Sequence, residues 1–286
     1  MIKLCAFADE AADSLTEQIS ELKKHKIDLL ELRSINKKNV SEFTDEEARI
    51  YAELLNKAGI KVWAIGSPLG KIDISSAKEH MKTVRRVCEI AKIFGTSRIR
   101  VFSFYNAYDA PEEVFSALKE INSIAAEYDL LICHENEKEI YGDTPSRVLE
   151  IIDQNYTNMR FVFDPANFIQ CKVDVPEAIN VLFEKTDYFH IKDVISSTGE
   201  LVPSGYGDGY IEEIINMIKD TNKDRVLTIE PHLAVFSGYK QIDNTEMKTK
   251  FEYKNTAESF SAATNALKHI LEKCGYKNTE KGYEVI

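Results

Sequence analysis

Four short runs in this chain end on residues that can hold a cation. They are Leu130-Leu131-Ile132-Cys133-His134-Glu135, Phe161-Val162-Phe163-Asp164, Tyr188-Phe189-His190-Ile191-Lys192-Asp193 and Val226-Leu227-Thr228-Ile229-Glu230. Their apolar, β-branched and aromatic cores read as buried strands. Turn-prone Ser196-Ser197-Thr198-Gly199 follow the third. Burying three anions without compensation is very costly, and a cation is the simple remedy. Glu135, Asp164, His190 and Glu230 are therefore expected to converge on one divalent metal. Three carboxylates and one imidazole make an oxygen-rich site, which favours Mn²⁺, Mg²⁺ or Co²⁺ with Zn²⁺ as the alternative. By strand alternation Lys192 faces the same side as His190. There it can bind a substrate hydroxyl or phosphate, or pair with Asp193 or a ligand carboxylate.

The elements that must position these groups recur with a short, regular spacing. Strands are expected at 2–8, 28–33, 61–66, 98–104, 130–135, 159–164, 188–192 and 226–230. Helices are expected from about Ser14, over 44–58, 76–94, 111–128, from Thr144-Pro145, and over 175–184, 210–219 and 256–273. Ser14 and Glu17 have the spacing of a capping box, and acidic Asp45-Glu46-Glu47 suit the start of a helix. Alternating strands and helices predict parallel strands. Eight repeats without a linker favour an α/β fold of the closed (β/α)8 TIM-barrel type, one domain over 1–286. No G-x-G-x-x-G follows the first strand and no P-loop signature is present. Ser204-Gly205-Tyr206-Gly207-Asp208-Gly209 reads as a flexible loop over a site. A polar stretch lies near 241–250. In such a barrel the active site lies at the C-terminal strand ends, where the four proposed ligands fall on strands five to eight. Neighbouring strands are roughly 5 Å apart, so one arc can reach one ion.

Composition narrows the function classes. The 286 residues carry a formal net charge of −11, which opposes nucleic-acid binding, since that needs a basic footprint. Five cysteines without a C-x-x-C pair read as free thiols in a reducing compartment. No segment reads as a signal peptide or a membrane span. The expectation is a cytoplasmic protein with no membrane partner.

The order Glu, Asp, His, Glu on strands five to eight resembles the sugar phosphate isomerase/epimerase group with the xylose-isomerase-like barrel. The local words agree: His134-Glu135-Asn136, Phe163-Asp164-Pro165-Ala166-Asn167, His190-Ile191-Lys192-Asp193 and Ile229-Glu230-Pro231-His232. The resemblance implies a divalent metal, a sugar, polyol or sugar-phosphate substrate, and a homodimer or homotetramer. It also implies proton transfer next to a carbonyl through a metal-stabilised enediolate, with Glu135 and Glu230 as the acid–base pair. Transfer of this kind contributes about 10²–10⁴-fold. One departure stands out: ketose 3-epimerases of the group carry histidine where this chain has Asn167. Their substrate-binding glutamate and arginine have no counterpart here; Tyr141 and Ser196 fall near those places. Alternatives are an inosose-type polyol dehydratase, an apurinic-endonuclease-like phosphodiesterase and a non-catalytic sugar-binding barrel. The phosphodiesterase is opposed by the acidic balance and by only six histidines.

Other residues have assigned expectations. Glu31 and Arg33 share a strand face and are expected to pair at the barrel mouth, with a substrate-binding role open to Arg33. Asn167 can bind a substrate hydroxyl. His232 shares the Glu230 face and is either behind the site or facing substrate. His134 should turn away from Glu135 toward a helix. Trp63 is expected to pack, and His80 and His269 are expected to be structural.

Overall fold

The computed structural model describes residues 1–221, 223–237, 247–249 and 251–286. Eight parallel strands close on themselves: β1 (Ile2–Ala6), β2 (Leu29–Leu32), β3 (Lys61–Ile65), β4 (Arg98–Val101), β5 (Leu131–Glu135), β6 (Met159–Phe163), β7 (Thr186–Ile191) and β8 (Arg225–Ile229). Their order round the sheet is their order in sequence. The seam is the β1–β8 ladder, from Ile2 opposite Arg225 to Ala6 opposite Ile229.

The helices are α1 (Leu15–Lys24), α2 (Asp45–Ala58), α3 (Ala77–Phe94), α4 (Pro111–Glu127), α5 (Pro145–Asp153), α6 (Pro165–Gln170), α7 (Val175–Leu182), α8 (Ile211–Thr221) and α9 (Thr256–Lys273). Local chemistry sets their ends. Ser14 accepts from the Glu17 N–H and donates to its carboxylate. Thr44 and Glu47 form a reciprocal capping box on α2. Gly59 and Gly95 end α2 and α3 in the left-handed conformation that glycine adopts without a Cβ penalty. One face of each long helix is buried against the barrel, as in α3 with Val84, Val87, Cys88, Ile90 and Ala91.

Inside the barrel, side-chain alternation builds two layers. The lower is apolar: Cys5, Leu29, Cys133, Val162, Tyr188 and Val226, flanked by Trp63. Two residues further along four of those strands the lumen turns polar. Glu31 follows Leu29, Glu135 follows Cys133, Asp164 follows Val162 and His190 follows Tyr188. On β8, Thr228 and Glu230 follow Val226. Ladder irregularities fall at Leu30/Glu31 and Phe161/Val162, just before site residues, where bulges commonly re-aim side chains.

Several elements have no counterpart in the expected pattern. Two-residue ribbons pair Ser34–Ile35 with Lys38–Asn39, and Asp193–Val194 with Leu201–Val202. Helix α6 starts directly at the Asp164 cap. A C-terminal hairpin, β9 (Tyr276–Thr279) and β10 (Gly282–Val285), adds to β1 through Ile2 and Tyr283, at the N-terminal end of the barrel. Every strand but the fifth ends earlier than expected, the first and fourth by the most: Phe7 and Ala8, and Phe102 to Phe104, lie beyond the strands, as do Arg33 and Asp164. Of the polar stretch at 241–250, residues 241–246 and 250 lie outside the described residues. All five cysteines are free thiols, four of them buried.

Candidate metal centre and active site

Each of the four expected ligands sits where its strand runs out. Glu135 is the last residue of β5 and His190 the penultimate residue of β7. Asp164 caps α6, its Oδ1 accepting from the Asn167 N–H at 2.9 Å. Glu230 follows β8 directly. One donor atom from each lies within 4.8 Å of every other, and all four residues are buried. His190 Nδ1 is 2.9 Å from Glu135 Oε1 and 3.3 Å from Glu230 Oε2. Among the described residues Glu135 Oε2, Asp164 Oδ2 and Glu230 Oε2 accept no well-aligned hydrogen bond; what they face is the charge of Arg100, Lys192 and His190. Buried carboxylate oxygens left this way are costly. A cluster of hard oxygen donors with one imidazole fits a divalent cation.

The surrounding charges sharpen that fit. Asp9, Glu10, Glu31, Glu135, Asp164 and Glu230 are all buried, as are Arg33, Arg100 and Lys192. Six carboxylates therefore face three permanent cations and two imidazoles, His190 and His232, that are drawn toward the charged form, so the cluster stays net anionic. Lys192 Nζ lies 3.0 Å from Asp164 Oδ2 and 3.8 Å from Glu230 Oε2. Arg100 Nη1 lies 3.3 Å from Glu135 Oε2 and 3.9 Å from Glu230 Oε1. Burial pushes the Asp164 carboxyl up to about 6, against the pull of Lys192. Burial pushes Glu230 the same way, but Lys192 and the nearby His190 and His232 rings outweigh it and hold the carboxyl well below its usual range. For His190, burial favours the neutral ring; Glu135 and Glu31 outweigh it and raise the imidazole well above its usual value. Lys192 is raised too, the pull of Asp164 and Glu230 exceeding the effect of burial.

Most of the further residues singled out by sequence also lie here. Lys192 pairs with Asp164, not with Asp193. Asp193 instead accepts N–H bonds from Gly205, Gly207 and Gly209, so the loop expected to be flexible is pinned. Asn167 Nδ2 donates to Glu135 Oε1 at 3.3 Å and to the Asn136 carbonyl at 3.0 Å. His232 N donates to Glu10, and its Nε2 lies 3.2 Å from Glu10 Oε1 and 3.5 Å from Glu230 Oε1. Glu10, Glu230 and His232 form a second cluster of potential donors, but Arg33 already bridges its two carboxylates.

The expected Glu31–Arg33 pair is corrected. Arg33 donates to Asp9, Glu10 and Glu230. Glu31 instead meets Tyr188 OH and His190 Nε2, both at 3.1 Å. The partners of Glu31 lie across the lumen on β7, and those of Arg33 just beyond the ends of β1 and β8. Tyr141 donates to Glu150, and Ser196 to Asp208, so neither takes the place of the missing sugar-binding pair. His134 is buried against the Phe161 ring beside Gly142. Trp63 packs under Arg98 and edge-on to Tyr188. His80 has a partner that sequence did not show, accepting from the Gly70 N–H at 3.1 Å. His269 lies beside a cleft of about 620 Å³ between the glycine loop and α9, whose lining includes none of the four expected ligands.

Sequence reasoning missed Asp9, Glu10, Arg100 and Asn136. Asn136 grips the Asp164 backbone in both directions, at 2.8 and 2.9 Å. The available signals were charged residues at the inner positions of an apolar strand, as in Arg98-Ile99-Arg100-Val101, and the abrupt Asp9-Glu10 after β1.

The family model described as "Xylose isomerase-like TIM barrel" matches residues 19–250. No functionally curated protein matches the sequence. Among solved structures, an L-ribulose 3-epimerase superposes with a TM-score of 0.75 at 17% identity, covering 96% of each chain. The IOLI protein with a bound zinc atom gives 0.72 at 18% identity, over 95% of this chain and 98% of that one. The probable 3-DHS dehydratase AsbF of Bacillus anthracis, involved in petrobactin synthesis, gives 0.70 at 16%, over 93% and 98%. At these identities the likeness is one of fold.

Proposed function

This chain belongs to the xylose isomerase-like TIM-barrel family, and from that premise we propose that it is a divalent-metal-dependent isomerase or epimerase of a sugar, sugar phosphate or polyol. The observation that carries the reading is the placing of Glu135 and Glu230. They flank His190 Nδ1 at 2.9 and 3.3 Å, and each has one oxygen that has charged neighbours but no well-aligned hydrogen bond among the described residues. Glu135, Asp164, His190 and Glu230 would hold the ion. A bound divalent ion supplies Lewis acidity, which eases ionisation of a carbon between a carbonyl and a hydroxyl.

The chain's own groups do the rest. Glu135 or Glu230 takes the proton from that carbon, and the other returns one, from the opposite face when the product is an epimer. Asn167 steadies Glu135 through its side-chain amide. Arg33 and Arg100 hold Glu230 and Glu135 from behind. Lys192, kept charged by Asp164 and Glu230, is placed to donate to a substrate hydroxyl or to the enediolate oxygen.

Dehydration is a second reading, favoured by Lys192: a charged ammonium beside the acid–base pair can protonate a departing hydroxyl. One experiment separates the two. The Mn²⁺-loaded enzyme is incubated in D₂O with ketoses, sugar phosphates and inososes, and the products are followed by NMR. Deuterium at the carbon next to the carbonyl, with carbon count and hydration unchanged, supports isomerisation or epimerisation. Deuterium with loss of water supports dehydration. Glu135→Gln and Glu230→Gln should each lower turnover about 10²–10⁴-fold. No exchange into any substrate by the loaded enzyme contradicts both readings.

A further inference from the structure

We propose that Glu31, held by the Tyr188 hydroxyl, is a positioning residue that decides which ring nitrogen His190 turns to the ion. The inference rests on the metal-centre reading above and deepens it. His190 presents Nδ1 to the cluster, toward Glu135 and Glu230. Its other nitrogen, Nε2, points down into the barrel and meets Glu31 Oε2 at 3.1 Å. The second oxygen of Glu31 accepts from Tyr188 OH at 3.1 Å. Glu31, Tyr188 and His190 are each fully buried.

Directly beneath lies the apolar layer of Cys5, Leu29, Cys133, Val162 and Val226. A carboxylate there has to have its oxygens satisfied by protein donors. In neutral imidazole one nitrogen carries the hydrogen and the other a lone pair. With an ion on Nδ1 the neutral ring carries its one hydrogen on Nε2, and Glu31 Oε2 is the acceptor waiting there at 3.1 Å. Ring orientation is fixed as well: Phe7 and Tyr188 both meet the imidazole edge-on, with centroids 5.2 and 5.6 Å away. Glu31 therefore links β2 to β7 across the lumen, and it follows the ladder irregularity at Leu30/Glu31. Carboxylates in this position behind a ligating histidine commonly contribute 10–100-fold to metal affinity.

The test measures Zn²⁺ binding to metal-stripped wild type, Glu31→Gln and Tyr188→Phe by calorimetry. It also reads the His190 tautomer in the Zn²⁺-loaded wild type by long-range ¹H–¹⁵N NMR. The expected result is affinity lowered about 10–100-fold in Glu31→Gln, a smaller loss in Tyr188→Phe, and hydrogen on Nε2 of His190. Zinc bound by wild type and by folded Glu31→Gln with affinities within about twofold overturns the inference while leaving the metal centre standing. Hydrogen on Nδ1 overturns it likewise, and decides the matter alone should Glu31→Gln fail to fold. A wild type that binds no zinc overturns both readings together.

Discussion

Arg33 divides its guanidinium among three buried carboxylates: two bonds to Asp9, one to Glu10 and one to Glu230, all between 2.9 and 3.0 Å. It also lies over the Phe7 and Phe236 rings. Breaking a buried ion network by removing one partner leaves uncompensated charge, at a cost of about 3–5 kcal/mol. Arg33→Met should lower unfolding stability by that amount in urea, and Arg33→Lys should recover only part of it, because lysine lacks the planar fork. A Met variant within about 1 kcal/mol of wild type would show that the network carries little. The four ligand candidates were legible because each interrupts an apolar run at a strand end. The Arg33 network was not. Alternation says which face a side chain takes, but not which strand it meets across a closed lumen. Glu31 was therefore assigned to Arg33 rather than to Tyr188 and His190.

Among the elements, the loop after β7 gathers its backbone round the Asp193 carboxylate. Asp193 accepts from the backbone N–H groups of Val194, Gly205, Gly207 and Gly209 at 2.8–3.1 Å. Asp193→Ala strips the acceptor from these amides. It should cost about 1–3 kcal/mol and speed hydrogen exchange at the three glycines; unchanged exchange there would contradict the anchoring. The turn after β3 carries a pH dependence. His80 Nε2 accepts from the Gly70 N–H, so it must be unprotonated, and burial holds its pKa below the usual value. Unfolded histidine titrates near ~6.5. The His80 contribution is thus full above that pH and is lost as the pH falls from there through the folded value. His80→Gln should flatten the fall in urea midpoint between pH 7.5 and pH 5, and an unchanged fall would refute this. The long elements were readable from apolar stripes, caps and terminal glycines. The two-residue ribbons, α6 and the β9–β10 hairpin were not, because segments this short carry too few residues to show a period.

For the whole molecule, eight strand–helix repeats made the closed barrel legible, and closure brings strands five to eight onto one arc. No helix among the described residues is long and apolar enough to cross a membrane. The anionic excess at the C-terminal end of the lumen gives a global prediction. An ion that binds the folded chain alone stabilises it by about 2.7 kcal/mol at a hundred times its Kd. For a chain of this size that raises Tm by about 4–5 °C. Mn²⁺ should produce such a rise, a chelator should abolish it, and Asp164→Asn should blunt it; a Tm indifferent to both metal and chelator would count against a metal centre. The position of a bound ion is the most direct test of the metal centre. Anomalous diffraction from crystals soaked in Mn²⁺ should give a strong peak ligated by Glu135, Asp164, Glu230 and Nδ1 of His190. No peak within coordinating distance of those four groups would contradict it.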